Sequence, residues 1–238
     1  MHRHEKKERD FLDIIRTRRS VRKYRDEQVP WDDIVTIMQS GKYAPCAGNI
    51  FNVKFLVVKS DAKRKQIAET CVQQYWMEIA PIHIVVVTEP EQAERYYGSR
   101  GARLYSIQAA AAATENMLLT AHHLGLGGCW VGAFDEEEIR RILNLPEHVH
   151  VQAVVTIGYA DEHPEPPIKQ RIEHIMYFEK WWGRMESPKT GLGYWSPYVA
   201  KGIRETKKIA EKRSGKIFNK ISEHVKRVGE RIRKKRNS

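Results

Sequence analysis

The 238-residue sequence is poor in cysteine and in long apolar runs. Cys46, Cys71 and Cys129 are odd in number and widely spaced, with no C-x-x-C pair, which argues against a disulfide framework and a zinc ribbon. No apolar stretch approaches the roughly 20 residues that a bilayer span requires. The first residues, Met1-His2-Arg3-His4-Glu5-Lys6-Lys7, lack the apolar core of an export signal, so the expectation is a soluble, cytoplasmic protein. Its ten histidines never form an H-x-x-x-H pair, and His148-Val149-His150 has the two-residue spacing of a strand, so no metal site is expected.

Excess acidic charge is also missing: the formal net charge is +11. Its location matters more than its size. Residues 201–238 hold 15 Lys+Arg against 4 Asp+Glu, and the other 200 residues carry 26 of each sign. The basicity therefore belongs to a tail, and the organisation expected is a body over 1–200 followed by a basic helical tail over 201–238.

Within the body, apolar spacing predicts short amphipathic helices over 10–18 and 30–41, the second headed by Pro30, Asp32 and Asp33. Residues 53–58 are strand-like, 62–76 helical, and the near-continuous apolar run 82–88 has the character of a central strand covered on both faces. The alanine-rich stretch 105–124 predicts a long buried helix, ended by Gly125. A glycine-rich loop over 125–134, a helix capped by Asp135 and a strand over 149–157 follow. Strands interleaved with helices, and no internal repeat, predict an α+β or α/β body.

Three segments could carry chemistry. Arg18-Arg19-Ser20-Val21-Arg22 packs three guanidinium groups and a hydroxyl into five residues, a set that matches phosphate oxygens, although a solvated connector is the ordinary explanation of such a run. Lys169-x-Arg171 adds two cations with the same ambiguity. The glycine-rich segment fails the dinucleotide fingerprint, because Trp130 stands where G-x-G-x-x-G needs its last glycine. It fails the P-loop as well, because Ala133-Phe134 replaces Lys-Ser/Thr. What is left is backbone able to approach a flat ligand, or a helix C-cap followed by a turn. Asn49, after Pro45-Cys46-Ala47-Gly48, offers a donor and an acceptor at once, or a turn residue. Cys46 and Cys129 have no sequence-local base and are read as small buried residues.

Taken in order, RRSVR, APCAGN, the alanine-rich helix leading into LGLGGCWVGAF, IGYA and KxR resemble the FMN-dependent nitroreductase family over about 11–182. The resemblance implies an α+β fold with a central sheet flanked by helices, in an obligate homodimer that builds each flavin site from both chains. It implies FMN as cofactor, with Arg18, Arg19, Ser20 and Arg22 at its phosphate and ribityl chain, joined by Lys169 and Arg171. Cys46 and Asn49 would lie along the flavin, Val131 and Gly132 would present N–H groups to its N5 edge, and Cys129 and Trp130 would sit near the ring face. The implied activity is an oxidoreductase passing hydride from NAD(P)H through flavin N5 to a nitroaromatic, quinone or similar small acceptor in a ping-pong scheme. One departure is local: Phe51-Asn52-Val53 stands where many members have Gln-Pro-Trp.

The other departure is the tail. Ile217, Ile221, Val225, Val228 and Ile232 recur at intervals of 4, 4, 3 and 4, one helical stripe among cations. Packing on the dimer is the favoured expectation, with weak binding of an anionic partner. A non-enzymatic nucleic-acid- or membrane-associated protein acting through its tail is the alternative.

Overall fold

A computed structural model of the chain describes residues 10–183. The chain divides into two compact units, Met1–Pro167 and Ile168–Ser238. The expected boundary at 200/201 and the tail's helical stripe lie outside the described residues.

The first unit is built on four antiparallel strands in the order β1-β2-β4-β3: β1 (Val53–Val58), β2 (Ile82–Thr88), β3 (Gly127–Val131) and β4 (His150–Gly158). All seven residues of β2 are buried, as its continuous apolar run predicts for a strand covered on both faces. Ile82, Ile84 and Val86 enter one half of the core with Ile34, Ile37 and Met117. Val85 and Val87 enter the other half with Ile67, Met77 and Ile139. Each fully buried aliphatic side chain contributes roughly 1.5–3 kcal/mol relative to exposure.

Six helices flank the sheet: α1 (Phe11–Thr17), α2 (Trp31–Lys42), α3 (Asp61–Thr70), α4 (Pro90–Arg100), α5 (Ser106–His123) and α6 (Glu136–Leu143). In α5 the alanines at 109, 110 and 113 are buried with Met117, Leu118 and Ala121, so the small residues serve packing within this chain. A Cβ on Gly41 of α2 would stand 3.1 Å from the Met117 side chain, which shows how closely α2 and α5 approach. The helix ends at Gly125 (φ 82), where the Gly125 N–H donates to His122 O at 3.0 Å and the Leu126 N–H to Ala121 O at 2.8 Å. That pair of bonds is a Schellman cap. Asp135 caps α6 as expected, its carboxylate accepting the Glu138 N–H at 3.1 Å.

Three expectations change. The segment 125–134 is not one glycine-rich loop, because Gly127–Val131 forms β3. The glycines are there because the strand is crowded: a Cβ on Gly127 would stand 2.9 Å from Val21, and one on Gly128 3.0 Å from Leu118. The helix expected over 62–76 stops at Thr70, whose carbonyl accepts the Asp135 N–H at 3.0 Å; Val72 and Gln73 then turn through left-handed backbone (φ 57 and 55) into a 3-10 segment, Tyr75–Ile79. Helix α4 is not anticipated, although Pro90 at its first turn is a standard start signal. Among its described residues, 168–183, the second unit contains one short helix, α7 (Ile172–Ile175).

Candidate functional site

The basic connector after α1 is extended and seals the outer edge of β3. Ser20 bridges Gly128 in parallel, with the Val21 N–H donating to Gly128 O at 3.1 Å, and Tyr24 bridges Ala160. Val21 and Tyr24 are buried, while Arg18, Arg19 and Ser20 are half-buried and Arg22 is exposed. The buried Val21 and Tyr24 anchor the connector, while the polar residues around them stay partly or fully exposed. Two carboxylate contacts fix the backbone further: Glu162 accepts the Arg22 N–H at 2.5 Å and the Lys23 N–H at 3.1 Å. The sequence gives no cue for Glu162, because its role depends on β4 returning beside the connector.

The connector brings Arg18, Ser20 and Arg22 around Cys129. Burial pushes the Cys129 thiol up from its ordinary value, while Arg22, a hydrogen bond with Ser20 and Arg18 act in the opposite direction. The thiol therefore remains protonated at neutral pH and is a packed side chain, as the sequence suggests, rather than a nucleophile. Arg18 Nε lies 3.7 Å from Glu115 of α5, longer than a hydrogen bond, so its donors remain open to an anion. Arg22 stacks 5.9 Å from the centre of the Trp76 ring. Arg19 behaves differently: its Nη1 donates to the Arg16 and Arg18 carbonyls at 2.8 and 2.7 Å, and its buried Nε has no partner among the described residues.

Trp130 and Cys129 project to opposite faces of β3, as neighbours in a strand must. Trp130 is half-exposed and Cys129 is buried. Since Gly128 O receives the Val21 N–H, Gly128 turns its backbone groups outward from the sheet; the alternation gives Trp130 the same direction and turns Val131 toward its partner Val154. Gly132 follows the last strand residue, and a Cβ there would meet only the Trp130 ring, at 3.6 Å. Unlike Gly127 and Gly128, Gly132 is thus bordered largely by open space.

The Pro45–Asn49 segment forms a 3-10 turn over Ala47–Asn49, with Gly48 and Asn49 both left-handed (φ 57 and 58). Asn49 is exposed and Cys46 half-buried. Asn52, which sequence reasoning passed over, is the buried anchor here: its Nδ2 donates to Ser106 Oγ at 2.7 Å and to Glu89 O at 3.2 Å. Lys169 and Arg171 stand in the second unit, where Arg171 pairs with Glu173 at 3.3 Å.

The profile of the nitroreductase family matches residues 15–78 and 69–159. The chain belongs to the nitroreductase family. A provisionally named NADH dehydrogenase/NAD(P)H nitroreductase of Archaeoglobus fulgidus is 35% identical over 154 residues, covering 63% of this chain and 85% of its own length. Among solved structures, a nitroreductase family protein of Clostridium novyi superposes with a TM-score of 0.60 at 26% identity, over 74% of this chain and 97% of its own. The NADPH:FMN oxidoreductase of Vibrio harveyi complexed with NAD+ has a TM-score of 0.66 at 21% identity, over 72% of this chain and 77% of its own, a likeness of fold. The connector lies in the first matched stretch, and α5 and β3 lie in the second. No helix among the described residues is long and apolar enough to cross a membrane.

Proposed function

We propose that this nitroreductase family member is an FMN-dependent oxidoreductase that draws its electrons from NAD(P)H. The observation that carries the reading is the convergence of Arg18, Ser20 and Arg22 along the outer edge of β3, beside the open backbone of Trp130 and Gly132. The residues fit the cofactor: a phosphate dianion needs cations and a hydroxyl with free donors, and the loosely paired Arg18 and the partnerless Nε of Arg19 offer them. Lys169 and Arg171 are proposed as further phosphate ligands on the strength of the motif. Cys46 and Asn49 are proposed to line the flavin, with Cys129, Trp130, Val131 and Gly132 along its other side.

When bound, FMN would supply the two-electron chemistry, taking a hydride equivalent from NAD(P)H and passing it to a nitroaromatic, quinone or similar small acceptor. The chain's own part is placement. Arg18 and Arg22 hold the anionic end, and the buried Val21 and Tyr24 keep those arginines in register with β3. Trp130 provides an apolar wall, and the outward-facing N–H groups of Trp130 and Gly132 would supply donors to a ring edge. No acid or base is assigned within this group; a bound water or the acceptor's own proton supply would serve.

The reading includes a homodimer. Phe11, Leu12 and Ile15 on α1 and Ile107 on α5 are exposed apolar residues that a second copy would cover. A cytoplasmic location is part of the same proposal.

The deciding experiment is an absorbance spectrum of the purified protein, with mass identification of whatever is released on denaturation. Flavin bands near-stoichiometric with chain, FMN in the released fraction and bleaching by NADH or NADPH are expected. A colourless protein that does not take up added FMN would overturn the proposal. Parallel initial-rate lines for donor and acceptor would test the ping-pong order, and light scattering the dimer.

A further inference from the structure

The second unit carries an exposed aromatic cluster that nothing in the flavin site uses. Tyr177, Trp181 and Trp182 form a mutually contacting trio, with ring centres 4.7, 5.3 and 5.5 Å apart. Their exposure is high, at 72% for Trp181 and 63% for Trp182, with Phe178 and Ile175 also exposed nearby in sequence. Local geometry keeps the indoles there. The Phe178 N–H donates to Gly183 O at 2.7 Å and the Gly183 N–H to Lys180 O at 2.9 Å, closing residues 178–183 into a tight loop with the two tryptophans near its tip. Glu179 and Trp182 hold left-handed backbone (φ 59 and 65), which bulky side chains rarely adopt. A Cβ at Gly183 would sit 2.0 Å from Phe178 O, so the closure requires glycine.

The same unit contains the basic sequence 201–238, with 15 Lys+Arg against 4 Asp+Glu and apolar residues at 217, 221, 225, 228 and 232. Indole and phenol rings, branched aliphatics at helical intervals and dense cationic charge are the three ingredients of an interfacial membrane contact. A nucleic-acid backbone supplies the countercharge but no apolar phase for the aliphatic stripe. An anionic bilayer surface supplies both.

We propose that the Trp181–Trp182 loop docks this protein in the headgroup layer of an anionic phospholipid surface, with the positive charge of the sequence 201–238 supplying the attraction to the lipid phosphates. The attachment is peripheral and stands independently of the flavin reading. It replaces packing on the dimer as the role assigned to the tail, because the aromatic loop in the same unit shares the chemistry that a lipid interface rewards.

The test uses the intact chain and vesicles of phosphatidylcholine with or without phosphatidylglycerol. Sedimentation with the phosphatidylglycerol vesicles, loss of binding at high salt and quenching of tryptophan emission by brominated lipid are expected. Trp181→Ala combined with Trp182→Ala should weaken the partition by about tenfold and remove most of the quenching, with the melting temperature unchanged. Replacing Lys216, Lys220 and Arg231 with Gln should separately reduce the dependence on phosphatidylglycerol. The proposal fails if the intact chain ignores phosphatidylglycerol vesicles at low salt, if bound protein shows no lipid quenching, or if duplex DNA is bound more tightly than the vesicles.

Discussion

Tyr24 and Thr156, 132 residues apart, share a buried hydrogen bond of 2.7 Å. The Tyr24 hydroxyl also donates to Val21 O at 2.6 Å, so one side chain ties the connector to itself and to β4. Burial raises the Tyr24 pKa far above its ordinary value, so the hydroxyl keeps its proton. Tyr24→Phe leaves the Val21 carbonyl without its donor and the Thr156 hydroxyl without its acceptor, and should cost about 1–3 kcal/mol in denaturant unfolding. It should also loosen flavin, since the Arg18–Arg22 segment loses its nearest anchor. Unchanged stability would show that the bond contributes nothing net.

The glycines of β3 separate packing from ligand access. Gly127→Ala drives a methyl to within 2.9 Å of Val21 Cβ, an atom fixed by its own backbone, and should destabilise the protein by about 1–3 kcal/mol. Gly132→Ala meets only the Trp130 ring at 3.6 Å and should leave the melting temperature nearly unchanged. If Gly132 borders the flavin, its methyl should lower flavin affinity or turnover all the same. Thermal melts beside flavin titrations of the two variants would distinguish these effects.

Arg18 is the cation whose loss should show most plainly. Losing one charge-assisted contact at roughly 1.5–3 kcal/mol predicts an FMN affinity about 10- to 150-fold weaker for Arg18→Ala, with the fold retained. Glu115→Gln removes the carboxylate 3.7 Å away and should hold FMN at least as tightly. Fluorescence titration of the apoprotein checks both, and equal affinity in Arg18→Ala and the parent would remove Arg18 from the site.

His83 governs acid stability. It is fully buried on β2, its Nε2–H donates to Met77 O at 2.9 Å, and its Nδ1 has no partner. Burial, the largest cause, lowers its pKa from 6.5 to about 4; the Met77 bond acts in the opposite direction, and the nearby Arg64 charge adds to the lowering. The unfolded chain therefore takes up this proton first as pH falls. Stability is full above about 6.5 and declines toward pH 4, by a total on the order of 3 kcal/mol. His83→Leu should lower stability at neutral pH through the lost bond, yet flatten its slope between those two values, as urea melts across pH would show.

Where periodicity was strong and the burial two-sided, the sequence was readable. The run 82–88 became the buried β2 and the alanine-rich stretch became α5, because continuous apolar character and small-residue spacing are local properties. The glycines at 127 and 128 misled because their cause is remote: Val21, Leu118 and Ile157 press on them from elsewhere in the chain. Helix α3 ended early for the same kind of reason, since the group that takes its terminal carbonyl is the Asp135 N–H. In the candidate site the cations were legible as a motif, whereas the residues that position them, Glu162, Tyr24 and Thr156, carry no mark until β4 lies beside the connector.

Pairing of the connector with β3 and with the end of β4 has a consequence for synthesis. Ser20 needs Gly128 and Tyr24 needs Ala160, so the arginine segment leaves the ribosome 108 and 136 residues ahead of the partners it docks on. At about 5–20 residues per second that delay is roughly 5–30 seconds, during which Val21 and Tyr24 are solvent-exposed apolar groups on a nascent chain. The flanking charges of Arg18, Arg19, Arg22, Lys23 and Arg25 would keep that stretch soluble in the interval. The basic run thus has a use before any ligand reaches it.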